Sequence, residues 1–166
     1  MNYQTQYVSP LGTITILTDD QAILGLWFEN QKHFGAKYGL DQIPTVATPL
    51  HTQATAWLDR YFAGQHPDPR DLPLAPAGTP FQQQVFTILQ TIPYGQTYTY
   101  QQITDRISAT DHHTAPRAVG GAVGHNPISI IIPCHRVVGS DGNLTGYAGG
   151  IDRKIWLLHH ESALLA

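Results

Sequence analysis

The sequence predicts an α/β chain of the α+β kind, in two parts: a small antiparallel sheet with one helix, then a mostly helical half. Three observations lead there. Tyr3–Val8, Thr13–Thr18 and Ile23–Phe28 are strand-like runs rich in β-branched and aromatic residues. Residues 65–78, Q-H-P-D-P-R-D-L-P-L-A-P-A-G, hold four prolines and no periodicity, which is the composition of a stiff linker. Three helix-start signals then follow in close succession, the build of a helix-turn-helix unit.

Each element has a local reason. Ser9-Pro10-Leu11-Gly12 and Asp19-Asp20-Gln21 are turn compositions between the first strands. Residues 30–48 are mixed and give no pattern. Leu50, Ala54, Trp57, Leu58, Tyr61 and Phe62 fall on one helical face, with Thr48-Pro49 as a start and Gly64 as a stop. The linker sets a domain boundary after residue 78, giving 1–78 and 79–166. Thr79-Pro80-Phe81-Gln82 has capping-box form, and Phe81, Val85, Ile88, Leu89 and Ile92 supply that helix's apolar stripe. Thr99-Tyr100-Gln101-Gln102 repeats the form and opens a second helix to Ile107, before a polar insert at Ser108–His113. Thr114 with Pro116 opens a third, ending near Asn126-Pro127. Gly139–Asn143 reads as a turn, 146–150 as a glycine-rich loop around Tyr147, and Asp152–Glu161 as a last helix with Ile155, Leu157 and Leu158 inward.

Composition narrows the function. No apolar run approaches the ~18 residues of a membrane span, and the N-terminus lacks a signal-peptide pattern. A single cysteine permits neither an internal disulfide nor a zinc site built on cysteine pairs, and suits a reducing cytoplasm. Net charge is −3. Residues 1–78 carry four basic against seven acidic side chains, whereas 79–166 carry five against five with six of the nine histidines. By charge alone this is a poor nucleic-acid binder.

The chemistry centres on Ile130–Val138, I-I-I-P-C-H-R-V-V. The isoleucines read as a buried strand that Pro133 ends, leaving Cys134 at a rigid edge with His135 beside it. A thiol becomes a nucleophile only once it loses its proton, to a base or through a lowered pKa. Neighbours in an extended segment point apart, so His135 reaches that thiol only through a water or a turn. Glu161 is a candidate to orient the imidazole, although its spacing alone also fits a surface helix residue. Arg136 reads as a structural pair, and Asn126 could brace the cysteine turn. His112-His113 and His159-His160 are adjacent pairs without a third ligand and read as solvated. Gly120, Gly121 and Gly124 each cost ~1 kcal/mol in a helix, so either tight internal packing or an approaching outside partner must return it. Three classes stay open: a Cys–His hydrolase, a helix-turn-helix binding module with an inert cysteine, and a nucleic-acid reader with a nucleophilic thiol.

The residues P-C-H-R-V-V, together with T-P-F-Q-Q-Q-V-F, I-P-Y-G-Q-T-Y-T-Y-Q-Q-I, P-R-A-V-G-G-A-V-G-H-N-P and G-Y-A-G-G-I-D-R-K, resemble, in order, segments of the O6-alkylguanine-DNA alkyltransferases. The resemblance runs from Thr79 to Glu161; before that it is one of layout, a ribonuclease-H-like sheet and helix. It implies a winged helix-turn-helix-like second domain and direct, irreversible transfer of an alkyl group from O6 of guanine in duplex DNA to Cys134. Each molecule would act once, without a cofactor or metal. O4-alkylthymine stays open as a second substrate.

The same resemblance assigns roles. His135 would take the thiol proton through water, Glu161 would orient it, and Asn126 would brace the site. Tyr100 would lie near the 3′ phosphate of a flipped nucleotide and donate a proton to the departing guanine. Arg117 would fill the space left in the stack. Ala118, Gly121 and Ala122 would let their helix approach the minor groove of a duplex bound by a monomer. Tyr147, Ala148 and the Val137 carbonyl would line the guanine pocket.

Overall fold

The computed structural model describes residues 1–110 and 113–163. Its elements are β1 (Tyr3–Ser9), β2 (Gly12–Thr18), β3 (Ile23–Phe28), α1 (Pro49–Phe62), α2 (Pro80–Leu89), β4 (Tyr98–Thr99), α3 (Tyr100–Thr110), α4 (Pro116–Gly124), β5 (Val137–Val138) and α5 (Ile151–His160). The α/β class, sheet first and helices after, is as the sequence predicts. Two compact units form: Met1–Ala77 with Pro127–Ser129, and Gly78–Asn126 with the residues from Ile130 onward.

In the first unit, β1-β2-β3 form an antiparallel meander with Tyr3 opposite Thr18 and Ile14 opposite Phe28. All six residues of β3 are buried, as are Ile14–Thr18 of β2. Such runs mark strands covered on both faces. Helix α1 contacts β1 and β2 and buries Ala54, Trp57, Leu58 and Tyr61. Tyr38, Leu40 and Ile43, from the patternless 30–48 stretch, pack on Leu17, Leu24 and Trp27. Gly25 is required in β3 because the Trp27 ring occupies the place a Cβ would take.

The proline-rich stretch is not a free linker. The Ile23 N–H donates to Pro73 O at 2.8 Å, the Ala75 N–H donates to Ile23 O at 2.9 Å, and Trp57 Nε1 donates to Asp68 O at 2.8 Å. Proline holds a chain extended and is tolerated at a sheet edge, so this segment serves to cover β3. Further along the same edge, Leu26 exchanges bonds with Pro127 and Ser129 at 2.8 and 3.0 Å.

In the second unit, both predicted capping boxes form: Thr79 with Gln82, and Thr99 with Gln102. Helix α4 packs against α2 and α3. Three expectations are corrected. Helix α3 runs to Thr110 rather than Ile107, absorbing the start of the polar insert; Asp111 and His112 lie outside the described residues. Ala115, not Thr114, occupies the N-cap of α4, without a side-chain cap; Pro116, with its fixed φ, starts the helix. Finally, Ile130–Ile132 are buried but form no strand. Ile130 has φ +69°, Pro133 has φ −82° and ψ 64°, and the Cys134 N–H donates to Ile132 O at 2.8 Å, an inverse γ-turn. That backbone cannot join a ladder. The strand comes later, where Val137 and Val138 pair in parallel with Tyr98 and Thr99. Among the described residues, no helix is long and apolar enough to cross a membrane.

Candidate active site

The γ-turn at Pro133 leads into a 3-10 turn over Cys134–Arg136, and this bend sends consecutive side chains to separate partners. All three are buried. Asn126, just past the C-cap of α4, fixes the turn: its Nδ2 donates to Ile132 O at 2.8 Å and to Cys134 Sγ at 3.1 Å. The brace expected of Asn126 is therefore a direct bond to the thiol sulfur.

Burial pushes the Cys134 thiol up from its ordinary pKa. The Asn126 amide, the Lys154 charge and the backbone N–H groups of Cys134 and His135 pull the other way without overcoming it. At neutral pH the group is a thiol awaiting a base. Burial lowers the His135 pKa, against the opposing pull of Glu161. His135 is fully buried and its Nε2 meets Glu161 Oε2 at 2.7 Å. A neutral imidazole beside a carboxylate carries its proton on the facing nitrogen, so we assign Nε2–H as donor. That leaves the Nδ1 lone pair, which bonds to no protein group, able to accept a proton.

Glu161 is the hub, and it is 2 % exposed, contrary to the surface reading its spacing also allowed. Arg136 Nε donates to its Oε1 at 2.7 Å and Nη2 to its Oε2 at 3.2 Å, while Nη1 donates to Ile92 O at 2.7 Å. Burial opposes the carboxylate charge, yet His135 and Arg136 together hold its pKa well below the usual range. Arg136 is the structural partner its sequence reading suggested.

Lys154 was not singled out in the sequence. It is fully buried, and its Nζ donates to Val137 O at 2.6 Å and Thr145 O at 3.1 Å. Burial lowers its pKa to about 8, with Cys134 drawing it back up. The lysine thus ties the glycine loop to β5 and places positive charge toward the sulfur. Its signal was helical spacing: Lys154, Leu157, Leu158 and Glu161 stand at i, i+3, i+4 and i+7 on the inward face of α5.

The other expected residues divide. Tyr100 opens α3 half-buried, with its hydroxyl in hydrogen-bond contact with Thr145 Oγ1 at 3.2 Å. Arg117, Ala118 and Gly121 are exposed on α4. Ala122 is not: it is 4 % exposed and turned inward with Val119 and Val123. A Cβ at Gly121 or Gly124 would meet nothing within 4 Å, which removes internal packing as the reason for those two glycines. Tyr147 and Ala148 are half-buried in the glycine loop, which Arg153 ties down by donating to Gly149 O at 3.1 Å. His113 and His159 are exposed, and His160 stacks on Trp156 with ring centroids 4.9 Å apart. Among the described residues, no cluster of His, Cys, Asp or Glu could hold a metal ion.

Comparison with known proteins agrees along the whole chain. Residues 2–76 match the ribonuclease-like domain of 6-O-methylguanine DNA methyltransferase, and residues 80–163 match its DNA binding domain. A methylated-DNA–protein-cysteine methyltransferase of Haemophilus influenzae is 40 % identical over 161 residues, covering 96 % of this chain and 86 % of that one. One from Mycobacterium tuberculosis is 42 % identical over 155 residues, 93 % of this chain and 89 % of that one. The crystal structure of Mycobacterium tuberculosis OGT in complex with DNA superposes with a TM-score of 0.84 at 40 % identity, covering 97 % of this chain and 93 % of that one. With both halves matched, and with a buried thiol next in sequence to a buried imidazole that is paired with a carboxylate, this chain belongs to the 6-O-methylguanine DNA methyltransferase family.

Proposed function

We propose that this protein repairs alkylated DNA by moving the alkyl group from O6 of guanine in a duplex to the sulfur of Cys134. The observation that carries this reading is the neutral, buried His135 held by Glu161 next to a protonated thiol. His135 Nδ1 takes the thiol proton through a bridging water, and Nε2–H stays on the carboxylate. The thiolate attacks the alkyl carbon, a carbon–sulfur bond forms as the carbon–O6 bond breaks, and guanine regains a proton from Tyr100. The S-alkyl product has no route back to a thiol, so each molecule acts once, as a monomer and without a cofactor. An unpaired cysteine of this kind is suited to the reducing cytoplasm.

Chemistry on a base needs that base out of the stack. Arg117, exposed near the start of α4, would fill the gap, and Tyr147, Ala148 and the Val137 carbonyl would line the guanine pocket. That carbonyl already accepts from Lys154, and its second lone pair remains for the exocyclic amine of guanine. The exposed small residues Ala118 and Gly121 suit a helix lying in a minor groove. In this reading the alkyl-acceptor chemistry belongs wholly to the residues after the boundary at residue 78, and the sheet and helix before it take no part in the transfer.

Two measurements test this reading. Arg117→Ala will slow transfer from duplex O6-methylguanine by about tenfold or more while changing transfer from the free O6-methylguanine base little, because extrusion of the base costs a few kcal/mol only in the duplex. Equal losses on both substrates would count against base flipping. Gly121→Ala will stabilise the protein by about 1 kcal/mol in denaturant unfolding, since its Cβ meets nothing, yet weaken duplex binding. Unchanged affinity would show that α4 does not face DNA.

A further inference from the structure

We propose that Thr145 is a positioning residue for alkyl transfer, donating its hydroxyl proton to the Tyr100 phenol oxygen so that the phenol's own proton is left for the substrate; this rests on the role of Tyr100 given above. The separation is 3.2 Å. A phenol has one proton and two lone pairs. With Thr145 on one lone pair, the O–H must aim elsewhere, and a hydroxyl that accepts a hydrogen bond becomes a stronger donor.

Thr145 is held well enough for this. Its N–H donates to Asn143 O at 3.1 Å, and its carbonyl accepts from Lys154 Nζ at 3.1 Å. Lys154 is itself fully buried and anchored to the Val137 carbonyl. Threonine is β-branched, so a fixed backbone leaves its hydroxyl few positions. Tyr100 is held from the other side. Its carbonyl accepts from Thr104 Oγ1 at 2.7 Å, and its ring lies beside α4, where a Cβ on Gly120 would sit 3.7 Å from it. One chain of contacts therefore runs from the pocket carbonyl of Val137 through Lys154 and Thr145 to the phenol.

The threonine is exposed in the free protein, where water competes for both hydroxyls. A duplex covering the loop excludes that water, so the bond gains weight during transfer and contributes little to folding.

The test is single-turnover transfer from a duplex with one O6-methylguanine, at saturating protein, for wild type, Thr145→Val, Thr145→Ser, Tyr100→Phe and the Thr145→Val/Tyr100→Phe double variant, with unfolding midpoints alongside. Thr145→Val keeps the shape and removes the hydroxyl. It should slow transfer about fivefold with its unfolding midpoint unmoved, and Thr145→Ser should restore the rate to within about twofold. In the Tyr100→Phe background, Thr145→Val should add nothing, because the partner oxygen is gone. Losses that multiply in the double variant, a Thr145→Ser as slow as Thr145→Val, or a Thr145→Val at the wild-type rate with Tyr100→Phe slow would each overturn the proposal while sparing Tyr100. Tyr100→Phe at the wild-type rate would remove the role of the tyrosine itself, and the proposal with it.

Discussion

Glu161→Gln will lower stability by about 3–5 kcal/mol, the range for removing one partner of a buried ion pair. The carboxylate takes three bonds, from His135 Nε2, Arg136 Nε and Arg136 Nη2, at 2.7, 2.7 and 3.2 Å. Glutamine fills the same space but leaves the buried Arg136 guanidinium without a counter-charge. The loss also has a pH signature. The folded pKa of Glu161 is depressed, so its contribution is present above the unfolded value, about 4.3, and is lost as pH falls through the folded value. Wild type will therefore lose stability steadily on acidification below about pH 4.3, and Glu161→Gln will lack that part of the slope. Urea unfolding across the acid range measures both. A Gln variant within about 1 kcal/mol of wild type at pH 7 would contradict the placement of Glu161 as the hub.

The second large effect is kinetic. His135→Gln will slow methyl transfer by about 10²-fold or more, the range for loss of a positioned general base. Burial holds the Cys134 thiol above its ordinary pKa, so without a base the reaction waits on spontaneous ionisation. The wild-type rate should hold steady from neutral pH down past the ordinary histidine value of about 6.5, because the folded His135 pKa is lowered and the ring stays neutral there. The variant's rate should instead climb with pH through the neutral and alkaline range as thiolate forms. A flat profile in His135→Gln would mean that another group takes the proton.

Where the sequence speaks through local rules, it is readable. The two capping boxes and the three N-terminal strands have side-chain or β-propensity signatures and stand where they are expected. The two surprises around the cysteine have physical causes that propensity does not carry. Ile130–Ile132 have strand composition, but a positive φ at Ile130 and the γ-turn at Pro133 bend the backbone, and the Asn126 amide satisfies a carbonyl that a ladder would otherwise bond. The proline-rich segment has linker composition, and only tertiary structure shows it against the edge of β3.

The site itself was half legible. Cys134 and His135 stand in one motif, Asn126 and Glu161 are candidates for a brace and an orienting carboxylate, and the resemblance of the surrounding segments gives both the same roles. Charge hid Lys154 and made a surface position the default for Glu161. Charged residues are rarely fully buried unless paired, so the helical stripe they share with Leu157 and Leu158 was read through the leucines alone. The burial of Ala122 was not legible either. Alanine is compatible with either face of α4, and only the packing against α2 and α3 decides that it turns inward.

The central claim, that Cys134 is a single-use alkyl acceptor, is tested most directly by intact-protein mass after incubation with excess duplex containing O6-methylguanine. The expected result is a gain of ~14 Da, one methylene, saturating at one per protein, located at Cys134 by peptide mapping and absent from Cys134→Ser. A folded wild-type protein that gains no mass, or that restores many guanines per molecule while remaining unmodified, would contradict it.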